Sequence, residues 1–283
     1  MKIILRRNDS ATSELLFLFN TYLLLTNKDT LKLSSLLEIM KVFGKNETTV
    51  RMSLSRASKA KILVNIRRGN EVSYALTPEG RAVIAIWNSG VKCFWERYRL
   101  RNKSWNEKWY FLDINFSEDK KDLKTVVIDK LRQLGFASMN KTMWINPYYL
   151  QAEVTMLINE YGIEDSVIQI YGDIQIHRDM NEFLNEVFCT GKLKVSYNDF
   201  VKNFKNKLAE SKALYQSEEH SGCEKALPIL HELGWNFFNI ASGDTVLPKA
   251  LLSEWDGEEA ANIMKEFREI LLKPINRYLQ KFE

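Results

Sequence analysis

From Ser34 to Leu76 the apolar residues change period, and where they change restricts the fold more than any other feature of the chain. Leu36, Leu37 and Met40 recur at helical spacing over residues 34–42. Phe43-Gly44-Lys45-Asn46 interrupts them, with Gly44 able to form a tight turn and Asn46 a good N-cap. From Asn46 to about Ala60 the helical pattern resumes, and Val50, Leu54 and Ala57 share one face. Thr48, Met52, Ser55 and Lys59 lie opposite, flanked by Arg51 and Arg56. The period then falls to two. Residues 62–66 and 72–76 read as short strands joined through Arg67-Arg68-Gly69-Asn70-Glu71, where Gly69-Asn70 suits a hairpin turn. An earlier helix over residues 13–25, with Ser13 as cap and Leu15, Leu16, Phe19 and Leu23 inward, completes the order. Helix, helix, turn, basic helix and basic-tipped hairpin together predict a winged helix-turn-helix.

Charge follows the same division. Residues 1–76 hold 13 Lys/Arg and 6 Asp/Glu, so this segment carries +7 of a chain whose total is +4. Between Lys45 and Asn70, seven basic residues face the single acid Glu47. A local excess of this kind is the electrostatic footprint of a nucleic-acid reader, and equally of a solvated basic face with no partner. If the helix enters a major groove, its outward row supplies the contacts: Thr48, Arg51, Met52, Ser55, Arg56 and Lys59, with Arg67 and Arg68 of the hairpin tip on phosphate.

Beyond Leu76, Thr77 and Pro78 cap and open a further helix that runs toward Asn106 through Trp87, Phe94, Trp95 and Tyr98, with Arg97, Arg99, Arg101 and Lys103 interspersed. It reads as a connector whose aromatics pack the next domain, with a second nucleic-acid surface as the alternative. From Lys108 the pattern becomes strand 109–116, a helix ending at Gly135, a hairpin of 136–139 with 142–145, a helix from Asn146-Pro147 to Gly162, and strand 166–171. That order, β-α-β-β-α-β, is the ferredoxin-like unit. After Gly172 only helices are expected: Met180, Phe183, Leu184, Val187 and Phe188 form one stripe, and Phe200, Phe204 and Leu208 another. A loop is expected at Ser211–Lys225, and the last helix starts at Asp256-Gly257-Glu258-Glu259, with Pro274 bending or breaking it. The chain is therefore read as an α+β protein. Its divisions are a DNA-binding head at 1–77, a connector helix at 78–106, a ferredoxin-like domain at 107–173 and a helical domain at 174–283.

A length of 283 residues, with 45% hydrophobic and 27% charged, fits two or three globular domains and excludes disorder. No apolar run reaches membrane-spanning length, and Met1–Arg7 has no export-signal core, so a cytoplasmic protein with no membrane partner is expected. Cys93, Cys189 and Cys223 are odd in number and far apart, as reduced thiols are. The chain lacks the common phosphate-cradling glycine motifs, HExxH and GxSxG. Asp173 and His177, four apart, are a metal clip only if helical and lack a third ligand; His220 and His231 stand alone. Asp113, near the end of strand 109–116, is the one acid that a metal-dependent nuclease would use across a dimer, and no second acid accompanies it. No catalytic residue, metal or cofactor is expected.

Phe43-Gly44-Lys45-Asn46-Glu47-Thr48-Thr49-Val50-Arg51-Met52-Ser53-Leu54-Ser55-Arg56 resembles the recognition-helix region of the PaaX family, bacterial repressors of phenylacetic-acid degradation. Ser73-Tyr74-Ala75-Leu76-Thr77-Pro78-Glu79-Gly80-Arg81 is similar to that family's YxLTxxGR, and Leu131–Phe136 with Met143–Pro147 to its central domain, itself similar to the small ferredoxin-like nuclease of CRISPR systems. Asp244-Thr245-Val246-Leu247-Pro248 and Trp255-Asp256-Gly257 resemble D-x-x-L-P and W-x-G, with Asp256 where the family has proline. The resemblance implies a homodimeric repressor on double-stranded operator DNA, released by an aryl-CoA thioester such as phenylacetyl-CoA. The effector's binding residues are unknown.

Overall fold

The structure, a computed structural model, describes residues 10–215 and 222–282. His220 and the middle of the loop expected at Ser211–Lys225 lie outside the described residues. The architecture is α+β, with two small antiparallel sheets among ten α-helices in the described residues. Two compact units emerge: the described parts of Met1–Asn88, Phe200–Phe237 and Glu259–Glu283 form one, and Ser89–Asp199 with Phe238–Glu258 form the other.

The first unit opens with α1 (Ala11–Thr26), followed by β1 (Thr30–Lys32), α2 (Leu33–Val42), α3 (Glu47–Lys59), β2 (Leu63–Arg68), β3 (Glu71–Leu76) and the start of α4 (Pro78–Leu100). Ser10, not Ser13, caps α1: its hydroxyl accepts the Ser13 N–H at 3.2 Å, and Ser13 itself is buried. Leu15–Tyr22 is buried without a break, so α1 has no solvent face along this stretch. Its polar members are met inside, as where the side-chain amides of Asn20 and Asn88 exchange two 3.1 Å hydrogen bonds.

The sheet of this unit runs β1-β3-β2. β1 was not expected from sequence; only Leu31 is buried in a three-residue strand, which is too short for alternation to be visible. The exit of the hairpin is clamped onto α4. The Thr77 hydroxyl donates to the Lys61 and Ile62 carbonyls and accepts the Gly80 N–H at 3.0 Å. Gly80 has to be glycine here, since a Cβ would stand 2.2 Å from the Ile62 carbonyl oxygen. Arg81 pairs with Asp29 ahead of β1.

The second unit contains the rest of α4, then β4 (Trp109–Ile114), α5 (Lys124–Gln133), β5 (Ala137–Ser138), β6 (Met143–Asn146), α6 (Gln151–Tyr161), β7 (Val167–Gly172) and α7 (Met180–Phe188). The strands form one sheet in the order β5-β6-β4-β7, every pair antiparallel. One face, through Tyr110, Leu112 and Ile114, packs on Val127 and Leu131 of α5 and Val154, Leu157 and Ile158 of α6. The other, through Trp109, Phe111 and Ile145, packs on Phe183, Leu184 and Phe188 of α7 and on Leu247. Burial on both faces explains why β4 opens with four apolar residues in succession, Trp109 to Leu112.

Several sequence boundaries need correction. α4 ends at Leu100, short of Asn106, and α6 begins at Gln151 rather than at Asn146-Pro147. The cause at the second site is Asn146, fully buried, whose side chain donates to the Leu134 carbonyl at 3.2 Å and accepts the Tyr148 N–H at 2.8 Å. Those bonds hold a turn where a helix would otherwise start.

Three long helices complete the chain: α8 (Thr190–Tyr215), α9 (Ala226–Ala241) and α10 (Gly257–Leu279). α8 continues past Ser211, which is buried, into the stretch expected to be loop. Within the first unit Phe200 stacks on Phe204 at 4.7 Å and meets Phe237, while Phe204 meets Phe267. α10 runs unbroken through Pro274. Leu271, Ile275 and Leu279 around it are fully buried, and burial of this order outweighs the roughly 3 kcal/mol that an interior proline costs.

Candidate nucleic-acid interface

α3 is set by its two ends and its inner face. Gly44, at φ +70°, turns the chain out of α2, and the Asn46 side chain accepts the Thr49 N–H at 2.9 Å to cap α3. Val50, Ser53, Leu54 and Ala57 are buried, so the helix can rotate neither way without exposing them. Thr48, Arg51, Met52, Ser55, Arg56 and Lys59 are all exposed on the outer side. Met52 is 51% exposed, an apolar side chain in a polar row.

β2 and β3 pair from Leu63↔Leu76 to Arg68↔Glu71, leaving Gly69-Asn70 as the two-residue connection. The Gly69-Asn70 pair makes the turn with positive φ at Gly69 alone, +58°, and not at Asn70. Arg67 and Arg68 are exposed at the tip. Glu71, opposite Arg68, is held by Lys32 of β1 at 2.7 Å. Arg56, Lys59, Arg67 and Arg68 make no ion pair among the described residues.

Two of the seven basic residues of 45–70 behave otherwise. Arg51 is tied back on its own helix, with Nη2 and Nε both 2.7 Å from Glu47 Oε1. Lys45 points to α1, where it meets Glu14 at 3.2 Å. The outward charge of the segment is therefore smaller than its composition suggests, and it is concentrated on the second half of α3 and the hairpin tip.

Two arginines of the connector, one in α4 and one just after it, also depart from a surface reading. Arg97 and Arg101 are buried, and burial lowers both guanidinium pKa values from their usual range. Arg97 donates to the carbonyls of Gln133 and, at 3.0 Å, of Asp244. Arg101 donates to Leu247 at 2.6 Å and Leu252 at 2.7 Å, and lies over the Trp255 ring. At their centre is Asp244, whose carboxylate accepts from Tyr197 at 2.8 Å, from Trp255 Nε1 at 3.1 Å and from the Val246 N–H at 2.7 Å. Burial raises its pKa, and these three donors oppose the rise. The D-x-x-L-P and W-x-G segments are thus bonded to one another. A Cβ on Gly257 would lie 2.2 Å from the Trp255 ring, so that glycine is set by the packing of the indole. Proximity of segments 97–101, 197 and 244–257 was invisible to spacing rules, because they are far apart in sequence.

The candidates for metal chemistry stay apart. Residues 173–177 are not helical, so the Asp173–His177 clip does not form. Asp113 accepts from Asn115 at 3.3 Å. No three His, Cys, Asp or Glu side chains gather as a metal site among the described residues. No helix among them is long and apolar enough to cross a membrane.

Comparisons with known proteins find similarity along most of the chain. Residues 10–80 match the model of the PaaX-like protein family, and residues 102–184 match the PaaX protein central Cas2-like domain. The transcriptional repressor PaaX of Escherichia coli (strain K12) is 24% identical over 235 residues, covering 82% of this chain and 71% of that protein. The uncharacterized protein Rv0674 from Mycobacterium tuberculosis superimposes with a TM-score of 0.56 at 16% identity, over 96% of this chain and 99% of that one. This last likeness concerns the fold alone.

Proposed function

The chain belongs to the PaaX family, and from that premise we propose that it is a DNA-binding transcriptional repressor whose residues 1–77 act as a winged helix-turn-helix head. The observation that carries the reading is the exposed row Thr48, Met52, Ser55, Arg56 and Lys59 on a helix whose opposite face is locked in the core. Such a row suits the major groove, and Arg67 and Arg68 at a hairpin tip suit phosphate or the minor groove beside it. Arg51 contributes once its bond to Glu47 is exchanged for one to DNA. The strand order β5-β6-β4-β7 supports a ferredoxin-like central domain at 107–173, between the connector at 78–106 and the helical part at 174–283. In this reading the protein works in the cytoplasm as a homodimer, is not an enzyme, and controls an aromatic-acid catabolic operon of phenylacetate type. An aryl-CoA thioester releases it by preferring one dimer geometry over another. Nothing in the geometry around Asp113 favours the nuclease alternative.

The test is binding of the purified protein to duplex DNA from upstream of its own and neighbouring genes, followed by fluorescence anisotropy. Arg56→Ala is expected to cost about 1–3 kcal/mol on the preferred sequence, and Arg67→Ala to weaken binding across sequences with a shallower salt slope. If both leave affinity unchanged in folded protein, this docking is wrong. Titrating phenylacetyl-CoA, acetyl-CoA and phenylacetate into the complex tests the effector: release by phenylacetyl-CoA alone supports it, and equal release by all three or by none rejects it.

A further inference from the structure

The second unit contains a cavity of about 310 Å³ between the start of α8 and the segment 244–256. That volume is at the small end of ligand pockets, roughly 300–1,000 Å³, and suits a small metabolite. Phe188, Leu247, Leu251 and Trp255 give it apolar and aromatic walls. The walls are bonded to one another. Asp244 ties Tyr197 of α8 to Trp255, and Arg101 holds the carbonyls of Leu247 and Leu252. The Asn185 side chain accepts the Gly191 N–H at 2.9 Å and sets the junction of α7 with α8. Walls fixed in this way need little reordering on binding, which lowers its cost.

Both signs of charge line this cavity. Lys194 comes from α8, and Glu254 and Asp256 come from the facing segment. Lys194 and Glu254 are exposed, and Asp256 is half-buried. None of the three makes an ion pair among the described residues, so the ammonium reaches neither carboxylate. Opposite charges therefore share one apolar-walled cavity without meeting. Asp256 stands where the PaaX family has proline, so this charge is a feature of this chain. A divalent cation suits the site poorly, because two carboxylates without a third ligand face a lysine.

We infer that this cavity binds a free α-amino acid with an apolar or aromatic side chain. Such a molecule carries an ammonium and a carboxylate on one carbon, so it can bridge the two signs of charge. Its ammonium meets Asp256 and Glu254, its carboxylate meets Lys194, and its side chain lies among Phe188, Leu251 and Trp255. Other occupants leave a charge unmatched. An organic acid of the same body satisfies Lys194 and leaves both carboxylates facing an anion. An amine satisfies the carboxylates and leaves the lysine. A CoA thioester adds phosphates, which Glu254 and Asp256 repel. The inference concerns a ligand distinct from the proposed aryl-CoA effector and does not depend on that reading.

The experiment is isothermal titration calorimetry of the full chain with L-phenylalanine, L-leucine, phenylacetate, phenethylamine and phenylacetyl-CoA. One-site binding is expected for at least one of the two amino acids. Phenylacetate and phenethylamine each lack one charged group and should bind on the order of tenfold to a hundredfold more weakly. Asp256→Asn and Lys194→Met should each weaken amino-acid binding by a similar factor, and Lys194→Arg should retain most of it. Neither side chain is buried, so circular dichroism and melting temperature are expected to stay as in wild type. Glu254→Gln, at an exposed position, repeats the test should Asp256→Asn fail to fold. The inference is overturned if neither amino acid binds, if phenylacetate or phenethylamine binds as tightly, or if the folded variants bind like wild type. Lys194-dependent binding of phenylacetyl-CoA alone would also overturn it, by assigning the cavity to the proposed effector.

Discussion

Lys45, in the turn that launches α3, reaches Glu14 of α1 at 3.2 Å, and the Glu14 side chain is only 7% exposed. A lysine that composition assigns to a DNA-facing surface instead neutralises an acid inside the head. The pair also links the start of α3 to α1. Lys45→Met should therefore lower stability, by about 1–3 kcal/mol, because it removes a cation lying 3.2 Å from a nearly buried carboxylate. Adding Glu14→Gln should recover most of that loss. Urea unfolding of the two single variants and the double variant measures the coupling. No loss in Lys45→Met would mean that the pair is solvated in solution.

Glu47 acts in the opposite sense. It holds Arg51 through two contacts and is the single acid between Lys45 and Asn70. Glu47→Gln frees the guanidinium and removes a negative charge from the surface proposed to meet DNA. The expected outcome is tighter DNA binding, several-fold at low salt, with a steeper salt dependence. Anisotropy titrations at two salt concentrations check it, and weaker binding would mean that Glu47 positions Arg51 for the DNA.

His231 on α9 should make the first unit sensitive to acid. Its ring packs edge-on against Phe17 at 4.9 Å and Phe43 at 5.8 Å, and its Nε2 is buried without a hydrogen-bond partner among the described residues. Burial first, and the charge of Lys45 second, pull its pKa down to about 4, with Glu232 opposing. An unfolded chain, with histidine near 6.5, takes up this proton before the folded one does. The contribution is thus fully present above about pH 6.5 and is lost as pH falls toward 4, up to about 3 kcal/mol in total. In His231→Phe the slope of stability against pH over that window should flatten. An unchanged slope would assign the acid sensitivity elsewhere.

The two glycines that a Cβ cannot replace give a sharper prediction. Gly80→Ala drives a methyl group into the Ile62 backbone carbonyl, and Gly257→Ala drives one into the Trp255 ring. Each should cost at least about 1–3 kcal/mol by overpacking. Trp255→Phe removes one hydrogen bond to Asp244 and should cost about 1 kcal/mol from that bond, with a further loss from the smaller ring. It should also relieve Gly257→Ala in part, giving a non-additive cycle in thermal unfolding.

Local chemistry determined much of this protein. The α3 face, the hairpin after it, the Thr77-Pro78 helix start and the β-α-β-β-α-β order were legible because each rests on periodicity or capping within a dozen residues. That is also why all eight candidate DNA contacts could be named and are all exposed. Tertiary structure decided the rest. β1 exists because Leu31 finds a place beside β3, and α10 survives Pro274 because its neighbours are buried. Arg97 and Arg101 face inward because carbonyls of 133 and 244–252 receive them, and Lys45 turns away from solvent because Glu14 waits on another helix. In each case the deciding partner is distant in sequence. A charge or a proline shows its type in the sequence, but its energy depends on what the fold brings within a few ångströms of it.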